Sequence, residues 1–383
     1  MRIWATPVLL AATAAALMAA APRAVQPSGY LVAVASEAAD HISFVRFANG
    51  AGRVESEVPT GVMPMAIDGP HGLASSRDGR FIFVTLAHGQ PNGMALKYDT
   101  ATRAVVGRAT LGLFPATLDV SPDGTILYVV NFNLHGDPVP SSVSILLADT
   151  MQEIKRVATC RMPHGSRLNP SGTRHYSACM MDDAVIEIDT ATLTVSRHFI
   201  VTREKETGGK GLPPPAAHAG MKHGPGHGTE TPPAGSVACS PTWAQPSADG
   251  TAVFIACNGT SEIVEIDANR WTNRRRIAAR AGVYNLATTR DGRLLLATNR
   301  RDQSVSVIDL TSGKELARIP TKRRVVHGVV VTTDGRYAFV SVEGIAADPG
   351  TVEMIDLSTL KTVTTVDVPP QAGGIDIVPH AAG

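Results

Sequence analysis

Residues 121–149 read SPDGTILYVVNFNLHGDPVPSSVSILLAD, and this stretch decides the fold. An Asp-Gly turn precedes an apolar strand, a polar loop follows that strand, and a third apolar segment ends in aspartate. Glycine suits such a tight turn because it accepts a positive φ without a Cβ clash. Clear copies of the pattern recur at Tyr284–Asp309 and His327–Asp356. A repeat of roughly 40–50 residues built only of strands predicts an all-β propeller.

The two chain ends fix the number of blades. Six inner strands are predicted to start at His71, Ala116, His164, Thr242, Tyr284 and His327. A seventh inner strand, Gly373–Val378, has no hairpin partner after it, while the strands at Tyr30–Ala35 and His41–Phe47 have no inner strand before them. Pairing of the last strand with the first blade resolves both defects and removes the open edge. We therefore predict one seven-bladed propeller over residues 22–383, closed by its C-terminal strand.

Three motifs carry a resemblance to a known family. They are SPDG at 121–124, LYVVN at 127–131 and VSVID at 305–309. Through them the chain resembles the YVTN-repeat propellers over nearly all of its predicted mature length. The resemblance implies the propeller fold and a likeness to the propellers of nitrous oxide reductase, haem-d nitrite reductase, methylamine dehydrogenase and sugar-phosphate lactonases. None of their catalytic residue sets is matched here, and propellers host many unrelated activities.

The N-terminus has the features of a secretory signal peptide over residues 1–21. Arg2 supplies a positive start, Val8–Ala20 is apolar, and Ala19–Ala21 offers small residues for cleavage. The apolar stretch is short and alanine-rich for a membrane span, and a retained N-terminal anchor is the alternative. We expect a periplasmic or secreted protein with no membrane span in its mature chain. The net charge of +1, with 18% charged residues, gives no reason to expect nucleic acid as a partner.

The four cysteines fit an oxidising compartment. In each of the pairs Cys160/Cys179 and Cys239/Cys257 the first residue precedes an inner strand and the second ends the next strand. Those positions lie side by side at one end of a hairpin, which favours the disulfides Cys160–Cys179 and Cys239–Cys257. A thiolate metal site is the alternative, although no CxxC spacing supports it.

Three of the predicted inner-strand starts are histidines, namely His71, His164 and His327, and each is followed by glycine. Starts of inner strands share one face of a propeller and point toward its channel from well-spaced directions. Three imidazoles that converge there would hold a metal ion and leave an open coordination position. Hydrogen bonding within a polar channel is the alternative role for them.

Further candidates lie on the same predicted face. Tyr284, Asp182 and Glu343 are candidates for proton transfer, and Arg300 is a candidate for binding an anionic substrate. Residues 202–236 form a long Pro- and Gly-rich insertion that contributes the auxiliary candidate ligands His218, Met221, His223 and His227. Histidine with methionine suits copper, which makes copper the favoured metal. A disordered linker without a metal role is the alternative for this segment.

Two classes of function remain open. In the first, the propeller is a binding module that presents a metal, a small ligand or a periplasmic protein partner, or serves purely as a protein-binding scaffold. In the second, it is a copper-dependent oxidoreductase, with a metal-assisted lyase or lactonase as a variant. The sequence has no Gly-rich phosphate loop, serine nucleophile elbow or CxxCH haem attachment.

Overall fold

The computed structural model describes residue 1 and residues 29–61, 68–89, 91–214 and 239–379. Within these ranges the chain forms seven antiparallel sheets. The predicted signal peptide and most of the Pro- and Gly-rich segment lie outside the described residues. No helix in the described ranges is long and apolar enough to cross a membrane.

Each sheet is one blade, and its strands run outward from a central channel. The inner strands, in the order of blades 1 to 7, are β29 (Ala372–Val378), β4 (Pro70–Ser75), β8 (Pro115–Val120), β12 (Pro163–Leu168), β17 (Pro241–Pro246), β21 (Val283–Thr288) and β25 (Val326–Val331). The second strands are β1 (Tyr30–Ser36), β5 (Phe81–Leu86), β9 (Ile126–Asn131), β13 (Arg174–Cys179), β18 (Ala252–Cys257), β22 (Leu294–Asn299) and β26 (Tyr337–Val342).

The third and outer strands complete the blades. The third strands are β2 (His41–Ala48), β6 (Met94–Asp99), β10 (Pro140–Leu147), β14 (Ala184–Asp189), β19 (Glu262–Asp267), β23 (Ser304–Asp309) and β27 (Gly350–Asp356). The outer strands are β3 (Ala51–Pro59), β7 (Val105–Thr110), β11 (Glu153–Arg161), β15 (Thr194–Ile200), β20 (Thr272–Ala278), β24 (Lys314–Pro320) and β28 (Lys361–Val368). A short 3₁₀ helix, Glu37–Ala39, links β1 to β2.

The ring closes as the sequence predicts. Strand β29 pairs with β1 in antiparallel register, with Leu31 opposite Val378 and Val34 opposite Ile375. The last strand of the chain therefore supplies the inner strand of the first blade. This confirms the predicted fold class and its closure.

Blade 4 carries a fifth strand, β16 (Thr207–Lys210), which pairs with β15. It lies within the segment that composition marks as an insertion. Its two glycines pack closely, because a Cβ on Gly208 would come within 2.5 Å of Trp271 and one on Gly209 within 2.4 Å of His198. Composition alone does not predict this strand.

Hydroxyl side chains of the second strands bind neighbouring inner strands together. Thr85, Thr298 and Ser341 each accept a hydrogen bond from a backbone N–H in their own inner strand. Each hydroxyl also donates to a carbonyl oxygen in the inner strand of the next blade, and the acceptors are Ala116, His327 and Gly373. These bonds hold the inner strands in register around the channel. They explain why the otherwise apolar second strands carry a threonine or serine at this position.

Both predicted disulfides are present. Cys160 and Cys179 have Cα atoms 5.8 Å apart, and Cys239 and Cys257 have Cα atoms 4.5 Å apart. The first links the end of blade 3 to blade 4, and the second fixes the start of blade 5. All four cysteines lie on the face where the inner strands begin. The two disulfides therefore stabilise this face of the propeller.

Candidate functional site

Four side chains from inner strands meet at one end of the channel: His71, His164, Tyr284 and His327. We call them the mouth cluster. The ring centres of His71 and His327 are 5.6 Å apart, and those of His71 and His164 are 6.4 Å apart. Tyr284 lies 5.4 Å from His164 and 5.0 Å from His327. The structure thus brings together the three histidines that sequence reasoning singled out, and all four side chains are buried.

The glycine after each histidine lets these strands approach one another. A Cβ on Gly72 would lie 2.0 Å from the carbonyl oxygen of Ala116 in the next blade. A Cβ on Gly165 would lie 2.4 Å from the carbonyl oxygen of Thr242. Both distances are far below any normal contact, so only glycine permits this packing. The His-Gly pairs therefore place the imidazoles and the tight inter-blade contacts at the same level of the channel.

Hydrogen bonds fix the orientation of two imidazoles. Nδ1 of His71 donates to Oε2 of Glu37 at 2.7 Å, and Nδ1 of His164 donates to the carbonyl oxygen of Thr242 at 2.8 Å. A proton held on Nδ1 leaves the lone pair of the neutral ring on Nε2. Metal-binding histidines use this arrangement, in which a carboxylate or carbonyl orients the ring. Nε2 of His164 accepts a hydrogen bond from the hydroxyl of Tyr284 at 3.1 Å.

A small cavity of about 30 Å³ lies in the channel next to the cluster, large enough for an ion or a water-sized ligand. Four of the side chains that line it carry a buried polar atom with no hydrogen-bond partner in the described part of the chain. These atoms are Nε2 of His71, Nδ1 of His327, Nε1 of Trp243 and Oδ1 of Asn285. A buried polar atom without a partner is costly, so this concentration points to a ligand.

Burial controls the charge of the cluster. It lowers the pKa of His164 to about 3, and the positive charge of Arg300 adds to the effect. Burial, followed by the charge of Arg300, also lowers the pKa of His327 well below its ordinary value. Burial raises the pKa of Tyr284 to about 12. At neutral pH the site therefore offers two neutral imidazoles and a phenol that acts as a proton donor.

Charged residues surround the cluster on the mouth side. Glu37 binds His71 and also accepts from Nε2 of His88 at 2.6 Å. Burial opposes ionisation of Glu37, but the interactions of the carboxylate with His71 and His88 outweigh burial and hold the pKa of Glu37 below its ordinary value. The hydrogen bond to Glu37 raises the pKa of His88. Glu37 is therefore an anion fixed against the imidazole cluster.

Two candidates for substrate handling lie on the opposite side. The guanidinium of Arg300 is 4.6 Å from the ring centre of Tyr284 and donates to Oε1 of Glu343 at 2.9 Å. The same Oε1 is 3.9 Å from Nε2 of His327. Asp182 differs, because it binds the guanidinium and backbone N–H of Arg161. The structure thus places Arg300 and Glu343 beside the cluster and Asp182 in a separate ion pair.

The predicted metal site is only partly arranged. Two imidazoles that share one ion at metal–nitrogen distances of 2.0–2.1 Å have ring centres roughly 4.5–6.4 Å apart, depending on the angle at the ion. The spacings of His71 from His327 and from His164, 5.6 and 6.4 Å, lie in the upper part of that range. As placed, however, no three His, Cys, Asp or Glu side chains among the described residues form a ready metal site. The auxiliary candidates His218, Met221, His223 and His227 lie outside the described residues.

Sequence reasoning missed Glu37 at this site. The residue directly follows the second strand of blade 1, and Arg300 and Glu343 directly follow the second strands of blades 6 and 7. The sequence could have revealed Glu37 through this shared position. The first residue after a second strand lies on the face that carries the mouth cluster.

Comparison with known proteins supports the fold. No protein-family model matches the chain, and no curated protein matches its sequence. Among solved structures, a periplasmic gluconolactonase of Pseudomonas aeruginosa, PpgL, aligns with a TM-score of 0.66 at 18% identity. That alignment covers 91% of this chain and 99% of the gluconolactonase.

Two other solved structures share the architecture. Kuenenia stuttgartiensis hydrazine synthase aligns with a TM-score of 0.59 at 20% identity, covering 79% of this chain and 80% of that one. The dihydro-haem d1 dehydrogenase NirN aligns with a TM-score of 0.58 at 16% identity, covering 94% of this chain and 78% of that one. These similarities confirm the propeller and leave the function to be argued from the site.

Proposed function

We propose that this protein is an exported propeller of the YVTN-repeat type that binds one metal ion at the mouth cluster, with copper favoured. The observation that carries the proposal is the pair of unpartnered, buried ring nitrogens, Nε2 of His71 and Nδ1 of His327. Their ring centres are 5.6 Å apart, and Glu37 orients one of the rings. A metal ion would satisfy both nitrogens at once.

The choice of copper rests on ligand chemistry. Imidazole suits copper, zinc, nickel and iron, and among divalent ions Cu(II) binds nitrogen sites most strongly. The two disulfides support an oxidising, exported location, where the periplasm is the expected compartment. His164 becomes the third ligand when it exchanges its hydrogen bond with Tyr284 for the ion.

Titration of the stripped protein with Cu(II) and Zn(II), against a competing chelator, tests the proposal. We expect one equivalent bound, with a loss of affinity of about 100-fold in the double variant His71→Ala/His327→Ala. His198→Ala is the matched control. His198 lies on the outer strand β15, away from the channel, and its Nδ1 is hydrogen-bonded to the carbonyl oxygen of Gly211. Circular dichroism verifies that each variant folds.

A second variant separates the channel from the His-rich segment. In it, His218, His223 and His227 are replaced by serine, and the mouth cluster stays intact. Copper binding that persists there and disappears in the double channel variant supports the mouth cluster. Stoichiometric binding that survives the double channel variant contradicts the proposal, as does the absence of binding in the wild type.

A copper-dependent oxidoreductase at the same site is the second candidate function. The observation in its favour is Tyr284, whose hydroxyl donates to Nε2 of His164 beneath the guanidinium of Arg300. A protonated phenol next to a bound ion could deliver a proton to a substrate. Reduction of bound Cu(II) by a substrate, followed by reoxidation, would distinguish an enzyme from a carrier.

Replacing Tyr284 by phenylalanine should strengthen metal binding. The change frees the lone pair on Nε2 of His164, and a net hydrogen bond of about 0.5–1.5 kcal/mol corresponds to a gain of up to about tenfold in affinity. The same competition titration measures it. A tenfold loss would instead identify the phenol oxygen of Tyr284 as a ligand.

A further inference from the structure

A second cavity lies at the far end of the channel from the mouth cluster. Its volume is about 230 Å³, and side chains from five blades form its polar wall. They are Arg77, Asp119, Asn169, Gln245, Ser247 and Thr288. We call this the far cavity. It is separated from the mouth cluster by the length of the inner strands, so its ligand need not be the one bound above.

Arg77 supplies an available cation in the far cavity. Its side chain is exposed and forms no hydrogen bond or ion pair in the part of the chain that the structure describes. Arg167 lies near the end of the inner strand β12, with its guanidinium 4.5 Å from the ring centre of Trp243. No carboxylate of the described residues lies within ion-pair distance of Arg167. A guanidinium with free N–H groups is suited to bind a carboxylate in a bidentate manner.

Asp119 supplies an acceptor on the same wall. One of its carboxyl oxygens accepts from the backbone N–H of Val120 at 3.0 Å, and the other accepts from that of Leu168 at 2.7 Å. A carboxylate oxygen can accept more than one hydrogen bond, so each retains room for a ligand donor. The backbone bonds hold the carboxyl group in place. Burial raises the pKa of Asp119 and the nearby charges of Arg167 and Arg77 lower it, so the cavity presents a fixed carboxyl group close to two cations.

The remaining wall is neutral. Gln245 and Thr288 offer amide and hydroxyl groups, the amide of Asn169 is engaged within its own turn, and Pro122, Pro170 and Pro246 offer apolar surface. Amides and hydroxyls recognise polar substituents without demanding a particular charge. A small molecule with a short carbon chain, at least one carboxylate and at least one donor group complements this wall.

We propose that the far cavity binds a small carboxylic acid that carries a hydroxyl or ammonium donor, with its carboxylate on Arg77 and its donor on Asp119. This proposal is independent of metal binding at the mouth cluster. It assigns a second ligand to the opposite face of the propeller. The size of the cavity limits that ligand to a few carbon atoms.

Isothermal titration with four probes tests the proposal. Malate carries two carboxylates and a hydroxyl donor, aspartate two carboxylates and an ammonium donor, succinate two carboxylates without either donor, and sorbitol hydroxyls without a carboxylate. We expect malate or aspartate to bind at least about tenfold more tightly than succinate and sorbitol. The preferred probe identifies the donor group as hydroxyl or ammonium.

Two variants locate the binding. Arg77→Ser should weaken the preferred probe by at least about tenfold, because it removes the cation, and Arg77 is exposed enough for the fold to be unaffected. Arg293→Ser is the matched control, since Arg293 is an exposed arginine directly after the equivalent turn of blade 6. Asp119→Asn should abolish the preference for the probe over succinate.

The proposal is overturned by either of two results. One is the absence of heat and of any thermal shift with all four probes at millimolar concentration. The other is binding of equal strength in wild type and Arg77→Ser. Retained binding in His71→Ala/His327→Ala supports the independence of the two sites.

Discussion

Replacing Glu37 by alanine is expected to lower the free energy of unfolding by about 3–5 kcal/mol at pH 7. The carboxylate is buried and accepts from both His71 and His88, at 2.7 and 2.6 Å. Its removal leaves two ring nitrogens without their acceptor, and hydrogen bonds to a charged group contribute about 1.5–3 kcal/mol each. Urea unfolding of the metal-free protein measures the change as a shift in midpoint at constant slope.

Two comparisons make this result specific. Glu57→Ala is the control on the outer strand of the same blade, where the side chain is exposed and the change should stay within about 0.5 kcal/mol. The conservative change Glu37→Gln keeps one acceptor oxygen and should cost less stability, while lowering copper affinity by about 10–100-fold through misorientation of His71. A Glu37→Ala variant as stable as Glu57→Ala would show that the carboxylate does not hold the mouth together.

Much of this fold is predictable from sequence because each repeat can be compared with the others. The Asp-Gly turns and the apolar strands recur at fixed spacing, so the missing inner strand of blade 1 and the unpaired strand at the C-terminus could be matched without coordinates. Strand β16 is different. Its sequence, Thr207–Lys210, has no apolar alternation, and its position depends on packing against Trp271 and His198 from elsewhere in the chain. Such tertiary contacts override local propensity.

The candidate site also combines residues that the repeat pattern predicts with residues that it does not. His71, His164 and His327 could be grouped because they occupy equivalent positions in three repeats, and register alone places equivalent positions on one face. Glu37 stands at the repeat position that Arg300 and Glu343 occupy, so the register offered a signal, but the register does not show that a 3₁₀ helix at this point brings the carboxylate against both His71 and His88. Trp243 and Asn285 were not predicted either, since a tryptophan or asparagine beside the channel has the pattern of an ordinary inner-strand residue. Only the coordinates show their unpartnered polar atoms.

Lowering the pH should unfold the metal-free protein through its buried neutral imidazoles. Burial lowers the pKa of His164 and of His175 to about 3, and it lowers the pKa of His327 in the same direction. In the unfolded chain a histidine titrates near pH 6.5. Between these values the unfolded state binds protons that the folded state does not, so stability is full above pH 6.5 and falls as the pH decreases toward 3.

The expected loss of stability on acidification is large relative to the total free energy of unfolding. Each of His164 and His175 contributes roughly 2 kcal/mol of destabilisation by pH 5, and His327 adds to it, against a typical total stability of about 5–15 kcal/mol. The raised pKa of His88 acts in the opposite direction, but that side chain is partly exposed and its effect is smaller. Urea unfolding at a series of pH values between 7 and 4 measures the slope.

The variant His175→Phe isolates the contribution of His175 to the pH dependence of stability. His175 stacks on Tyr128 with ring centres 5.0 Å apart, and neither of its ring nitrogens has a hydrogen-bond partner within the described ranges. Phenylalanine keeps the stacking and removes both polar atoms, so the variant should be more stable than wild type at pH 7 by about 1–3 kcal/mol. It should also lose about 1.4 kcal/mol less per pH unit on acidification. An unchanged slope would mean that His175 is protonated in the folded protein, and the acid sensitivity would then have to arise from the mouth cluster alone.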